Sequence, residues 1–188
     1  MTDGGGPAGP PVRGVAVSVV AVEDGATGLT VTVSDEQADQ VVDADQLAQL
    51  ASVVVAGEGG DGELHLAFVD EVTMAGLNEQ HMGHPGSTDV LAFPIDAAEG
   101  TEAPGPAEIP RLLGDVVVCP AVAARQAEAA GGSTRDELEL LVVHGILHVL
   151  GWDHATPAER EAMQVRERRY LEQRPSGPQA GGGEQVSR

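Results

Sequence analysis

Leu29 to Val33 alternates apolar residues with threonine, a period of two that predicts a strand with one buried face. The alternation returns from Glu63 to Val69, where Leu64, Leu66 and Phe68 share a face. Between these runs the spacing becomes helical: Asp43 or Asp45 caps a helix to about Ala56 that buries Leu47, Leu50 and Val54. A short helix from Glu71 to about Gln80 carries Met74 and Leu77, and a third strand, Thr88 to Phe93, stops at Pro94. The run Leu112 to Cys119 predicts a buried fourth strand, and Pro120 opens a helix through about Ala130, broken by Gly131 and Gly132. Ser133 or Thr134 starts the next helix. Thr134 with Glu137 resembles a capping box, and Leu138, Leu141, Val142, Ile146 and Val149 form its apolar surround. Pro157 opens a last helix to about Tyr170.

The ends are different. Residues 1–28 are expected to be a disordered or poorly ordered extension, Gly- and Pro-rich over 1–14, with Val15 to Val22 either a strand or a loose segment. Residues 96–110 read as a mobile acidic excursion, and 175–188 as a disordered Gly-rich tail. This leaves one domain over residues 29–174, an α/β (α+β) arrangement of about four strands and their helices.

Composition narrows the chemistry. Hydrophobic residues make up 41% of the chain and aromatics 2%, so the core is aliphatic. The single cysteine, Cys119, allows no intrachain disulfide, fits a reducing cytoplasm, and lies in an apolar run where packing is its expected role. No run is long enough for a membrane helix, and no membrane partner is expected. The net charge is −20 and lysine is absent, which argues against general nucleic-acid binding. The charge is uneven, however. Residues 1–133 hold 21 acids and three arginines, whereas residues 134–174 hold eight acids and six arginines.

That second segment contains HGILHVLGWDH, His144 to His154. His144 and His148 are four apart, so a helix stacks them on one face. Gly151 can end the helix with a left-handed residue and turn His154 back towards the pair. Three nitrogen ligands with a fourth position open is the pattern of a catalytic zinc site. The spacing follows HExxHxxGxxH of zinc proteases, but Gly145 stands where their catalytic glutamate would be. Asp153 can orient an imidazole or a metal-bound water, and is the nearest candidate base. Its other role is a turn residue. His81 and His84 lie in a loop that can approach the metal cleft. Thr88 and Asp89 can bind substrate or cap the loop. His65 is expected to face solvent, and Asp115 to be a turn residue after Gly114. No P-loop, GxGxxG or GxSxG is present.

The His motif is similar to the HGxLHLxGYDH signature of the YbeY family, bacterial metal-dependent endoribonucleases of ribosomal RNA maturation. Leu77-Asn78 followed by Ser87-Thr88-Asp89-Val90-Leu91-Ala92-Phe93-Pro94 resembles the family's LN…PTDVLSFP, and Gly114-Asp115-Val116-Val117-Val118 resembles its GDIVI. The resemblance spans residues 29–171. It implies a zincin-like fold with a small mixed sheet flanked by helices, and one zinc ion per chain on His144, His148 and His154. It implies hydrolysis of single-stranded RNA, 3′-end maturation of a 16S rRNA precursor, and ribosome quality control with ribosomal partners; no DNA substrate is expected. Two positions depart from the family. The substrate-facing Arg of many members aligns with Met82, so that contact does not transfer; His81, His84 or a helix arginine is left to replace it. The family Tyr of GYDH is Trp152 here. Two other readings compete: a peptidase or other metal hydrolase, and a ribosome-associated module whose zinc is purely structural, with Cys119 or His84 as a fourth ligand.

Overall fold

The computed structural model describes residues 16–21 as backbone and residues 28–95 and 111–174 with their side chains. The chain runs β1 (Ala16–Ala21), β2 (Thr30–Asp35), α1 (Ala44–Gly57), β3 (Glu63–Phe68), α2 (Glu71–Met82), β4 (Val90–Pro94), β5 (Leu112–Val118), α3 (Pro120–Ala130), α4 (Thr134–Val149) and α5 (Pro157–Glu172). The strands form one mixed sheet in the order β1-β2-β3-β5-β4. β2, β3 and β5 are parallel neighbours, so the chain must cross the sheet between them, and α1 makes the first crossing. β4 closes one edge antiparallel to β5.

β1 adds a fifth strand to the four that periodicity predicts. It pairs antiparallel with β2, from Ala16 opposite Asp35 to Ala21 opposite Thr30. These six residues fall in Val15 to Val22, for which a strand or a loose segment is expected, and the strand is what forms. A short Val/Ala/Ser run has no decisive periodicity of its own; the free edge of β2 supplies its backbone partners. The rest of the expected 1–28 extension, the 96–110 excursion and the 175–188 tail lie outside the described residues.

One face of the sheet is covered by helices and the other in part. Val31, Val33, Leu64, Leu66, Val116 and Val118 join the apolar stripes of α1 and α4 in the main core. On the opposite face Met74 of α2 packs with Ala67, Leu91, Val117 and Cys119. Cys119 is fully buried there, in the packing role expected of it, and burial pushes its thiol pKa up. Each fully buried Leu or Val stabilises the fold by roughly 1.5–3 kcal/mol relative to exposure.

α4 approaches the sheet so closely at Gly145 that a Cβ there would lie 2.5 Å from Val116 Cγ1 and 3.2 Å from Val90 Cγ2. The position where a protease would carry its base therefore faces the sheet. The capping box expected at Thr134 is absent: Ser133 is the N-cap, and its Oγ accepts from the Asp136 amide at 3.1 Å. The helix starts after Ser133, so Thr134 is already helical and Glu137 is released from a capping role. A capping box does form at α5, where Thr156 and Glu159 exchange bonds of 2.8 and 3.2 Å.

Candidate metal centre

α4 places His144 and His148 on one face and then ends in a Schellman turn. Trp152 N donates to Leu147 O at 2.9 Å, and Gly151 N to His148 O at 3.0 Å. Gly151 sits at φ +89°, a conformation that side-chain-bearing residues rarely adopt. The turn returns His154 to the pair. One ligand atom from each of the three histidines lies within 4.8 Å of the others, and all three residues are half-buried.

The surroundings fit a metal. Glu167 of α5, whose side chain is only 13% exposed, meets His144 Nδ1 at 2.7 Å, which leaves Nε2 of that ring for a ligand. Burial first, and then the neighbouring His144 and His154, push His148 below the ordinary imidazole range, so it is neutral and ligand-ready at pH 7. His154 Nδ1 is buried without a hydrogen-bond partner among the described residues. A buried orphan nitrogen beside two further imidazoles is what a site built for a cation leaves when protein atoms alone are counted. Neither Cys119 nor His84 belongs to the cluster, so no fourth protein ligand joins it among the described residues.

A second set of contacts holds the turn. Glu58, just past α1, accepts from Trp152 Nε1 at 2.9 Å and from Tyr170 Oη at 2.6 Å. Arg166 stacks over the Trp152 ring at 3.5 Å and lies 3.7 Å from Glu58. Burial, followed by the Glu58 contact, pushes Tyr170 up to about 12, so it remains a hydrogen-bond donor across the physiological range. Trp152, two residues before His154, is thus pinned from both α1 and α5.

His144 and His154 open onto a cleft of about 370 Å³. Its polar lining includes His144, His154, Arg160 and Glu167, together with Asp89, Gln126 and Glu137, the last standing seven residues before His144 on α4. Arg160 Nη2 lies 3.5 Å from the His154 carbonyl. Asp153 is exposed, is not part of the cleft wall, and accepts the His154 amide at 2.7 Å through Oδ1, which is turn-capping geometry. His81 packs edge-on against Phe93, and neither it, His84 nor Met82 lines the cleft. Asp89 does line it, while also binding the Val90 amide at 2.8 Å as a loop cap.

Two expectations change. His65 is not simply solvent-facing: it lies 3.0 Å from Ser34 Oγ and 3.1 Å from Asp115 Oδ1. Asp115 sits inside β5, opposite His65 in the parallel register, and not in a turn. Glu167, Arg160, Gln126 and Glu58 were not singled out by sequence. A signal did exist for α5: Arg160, Met163, Gln164 and Glu167 follow i, i+3, i+4, i+7, so they share one helical face. Only docking against α4 turns that face into a cleft wall.

Comparisons with known proteins give the family and the fold. The family model "Endoribonuclease YbeY" matches residues 31–174. The Endoribonuclease YbeY of Thermobifida fusca is 50% identical over 123 residues, covering 64% of this chain and 79% of that protein. The one from Salinispora tropica is 53% identical over 115 residues, covering 58% of this chain and 72% of that protein. Among solved structures, the solution structure of TM1509 from Thermotoga maritima superposes with a TM-score of 0.52 at 25% identity, covering 76% of this chain and 87% of the other. With the match running from β2 through α5 and enclosing the three histidines, the chain belongs to the YbeY endoribonuclease family.

Proposed function

We propose that this protein is a zinc-dependent endoribonuclease that hydrolyses single-stranded RNA, acting in the cytoplasm on the 3′ end of a 16S rRNA precursor in the company of the ribosome. The observation that carries this is the convergence of His144, His148 and His154 at the border of an open cleft, in a chain whose relatives are named endoribonucleases. The ribosomal RNA, the ribosome and the cytoplasm come from the family resemblance. Zinc suits three imidazoles, and one ion per chain would supply Lewis acidity and a nucleophile at neutral pH.

The chain's own residues supply the rest. Glu167 keeps the His144 proton on Nδ1 and so presents Nε2 to the ion. Arg160 lies in the cleft wall beside His154 and binds the scissile phosphate, the role that Met82 leaves vacant. Asp153 anchors the turn beside His154 through Oδ1; to take the proton of the attacking water its exposed carboxylate has to swing in from outside the cleft wall. A peptidase is disfavoured because Gly145 faces the sheet. A purely structural zinc is disfavoured because no fourth ligand joins the three histidines among the described residues.

The test is to measure bound metal and cleavage of single-stranded RNA together, for the wild type with and without chelator and for His148→Ala. Joint loss of metal and cleavage is the expected result. Cleavage that persists without metal rejects the reading.

A further inference from the structure

The far end of the cleft has chemistry unlike the metal end. Glu137 lies two helical turns before His144 on α4, about 10 Å along the axis. That is roughly the reach from a phosphate to the outer edge of a neighbouring base. Val90, Leu140, Leu141 and Met163 add apolar wall to the same cleft. Two of the three polar groups at the far end, Asp89 and Glu137, are carboxyl groups, which only accept when ionised. Gln126 gives one amide hydrogen to Asp89, with Nε2 to Oδ2 at 2.9 Å, and keeps its carbonyl and its second N–H. Burial tends to raise Asp89, but bonds from Gln126, the Val90 amide and Thr88 outweigh it and hold the carboxyl below its usual value, so it stays ionised.

Glu137 is the group left over. Its backbone amide bonds Ser133 O at 3.1 Å, but its carboxyl has no hydrogen bond or ion pair among the described residues. Burial, and then Asp89, push it up. A half-buried carboxyl beside a second carboxylate repels phosphate. It favours an uncharged group with N–H donors, flat enough to lie between aliphatic side chains. Nucleobases read on their Watson–Crick edge and packed between apolar side chains fit that description. Adenine, cytosine and uracil each present one donor group beside an acceptor. Guanine presents two adjacent donors, N1–H and the 2-amino group, which a carboxylate accepts side by side.

We propose that the Asp89–Gln126–Glu137 end of the cleft is a base-recognition subsite, and that Glu137 reads a guanine next to the cleaved phosphodiester. The assignment rests on the nuclease reading for its place in the reaction, but binding alone also tests it. Methyl resonances of Val90, Leu140 and Leu141 are followed while guanosine, adenosine, cytidine and uridine are each titrated into the metal-loaded protein and into Glu137→Ala.

The expected result is saturable shifts with guanosine at least about tenfold tighter than with the other three, worth about 1.4 kcal/mol at that ratio, and loss of the preference in Glu137→Ala. Equal shifts for all four nucleosides, no shifts, or a preference that survives the substitution overturns the subsite. The same methyls shifting with Mg2+ alone, in competition with guanosine, would make the far end a cation site and also overturn it.

Cleavage of a randomised single-stranded RNA pool is the second arm. Wild type is expected to enrich guanine at one fixed position beside the cut, and Glu137→Ala to flatten that enrichment. Cuts with no base preference overturn the subsite and leave the nuclease reading standing. Guanosine binding with no cuts at all sinks the nuclease reading and leaves the subsite standing.

Discussion

Glu137 and Glu139 are the same residue type two positions apart on α4, yet they live in opposite circumstances. The Glu139 side chain is completely buried and fully engaged. Gln46 Nε2 donates to it at 2.6 Å, Arg135 Nε at 3.1 Å and Arg174 Nη1 at 2.7 Å. Arg174 extends the network to Asp136 at 2.7 Å. Glu137 is half-buried, and its carboxyl has no hydrogen bond or ion pair among the described residues. A helix turns about 100° per residue, so two steps carry a side chain to the far side. One face docks α1 and the end of α5; the other borders the cleft. Satisfied carboxylates hold folds together, whereas one left partly desolvated and unpaired is reserved for something from outside.

The comparison can be broken most severely at the helix that carries both glutamates. Gly145→Glu restores the protease spelling and forces a side chain against Val116. Overpacking costs about 1–3 kcal/mol, and burying a charge adds to it. The variant should lose at least ~3 kcal/mol in denaturant unfolding and gain no peptidase activity. A stable variant would mean that α4 does not approach the sheet as described.

Glu139→Ala is the next largest effect, about 2–3 kcal/mol, because Gln46 Nε2 loses its buried acceptor and a cavity remains. Metal affinity should stay near wild type, since the network lies on the opposite face from the imidazoles. Loss of metal at full folding would show that the two faces are coupled. Glu167→Ala should do the reverse. Its expected result is metal affinity about 10–100-fold weaker, measured by competition with a chelating dye, with little change in melting of the metal-free protein.

Acid probes His148. Its folded value lies below the ordinary 6.5, so the unfolded chain takes up a proton that the native state refuses. Stability of the metal-free protein is therefore complete above pH 6.5 and falls as pH drops from there through the folded value. His148→Ala should flatten that slope in a urea series across pH 7 to 5.

The smallest effect belongs to Glu137. A carboxyl held above its usual 4.5 favours the fold while protonated and opposes it once ionised, so this stability is present in acid and lost as pH rises through the folded value. Glu137→Gln should therefore raise stability at pH 7 by about 0.5 kcal/mol or less. A clear destabilisation would mean that Glu137 has a structural partner after all.

Much of this was legible before any coordinates. Strong periodicity predicted the helices and four of the strands, because amphipathic patterns are written locally. The histidine spacing with Gly151 predicted the ligand cluster, because a helical turn and a left-handed glycine are local geometry too. Less local features were not legible. β1 needed the edge of β2. Thr134-to-Glu137 and Thr156-to-Glu159 share one capping pattern, yet only the second forms a box, since Ser133 takes the cap of α4.

Sequence alone determined which residues recur in register: the three imidazoles, the stop at Gly151, the missing glutamate at Gly145, and the family to which these spacings point. Tertiary structure alone decided what each meets. It set Glu167 against His144, Glu58 against Trp152 and His65 against Asp115, and left the Glu137 carboxyl without a hydrogen bond or ion pair among the described residues. The reason is range: helix period and turn chemistry act within a few residues, whereas Glu58 and Trp152 are 94 positions apart along the chain and 2.9 Å apart in the fold.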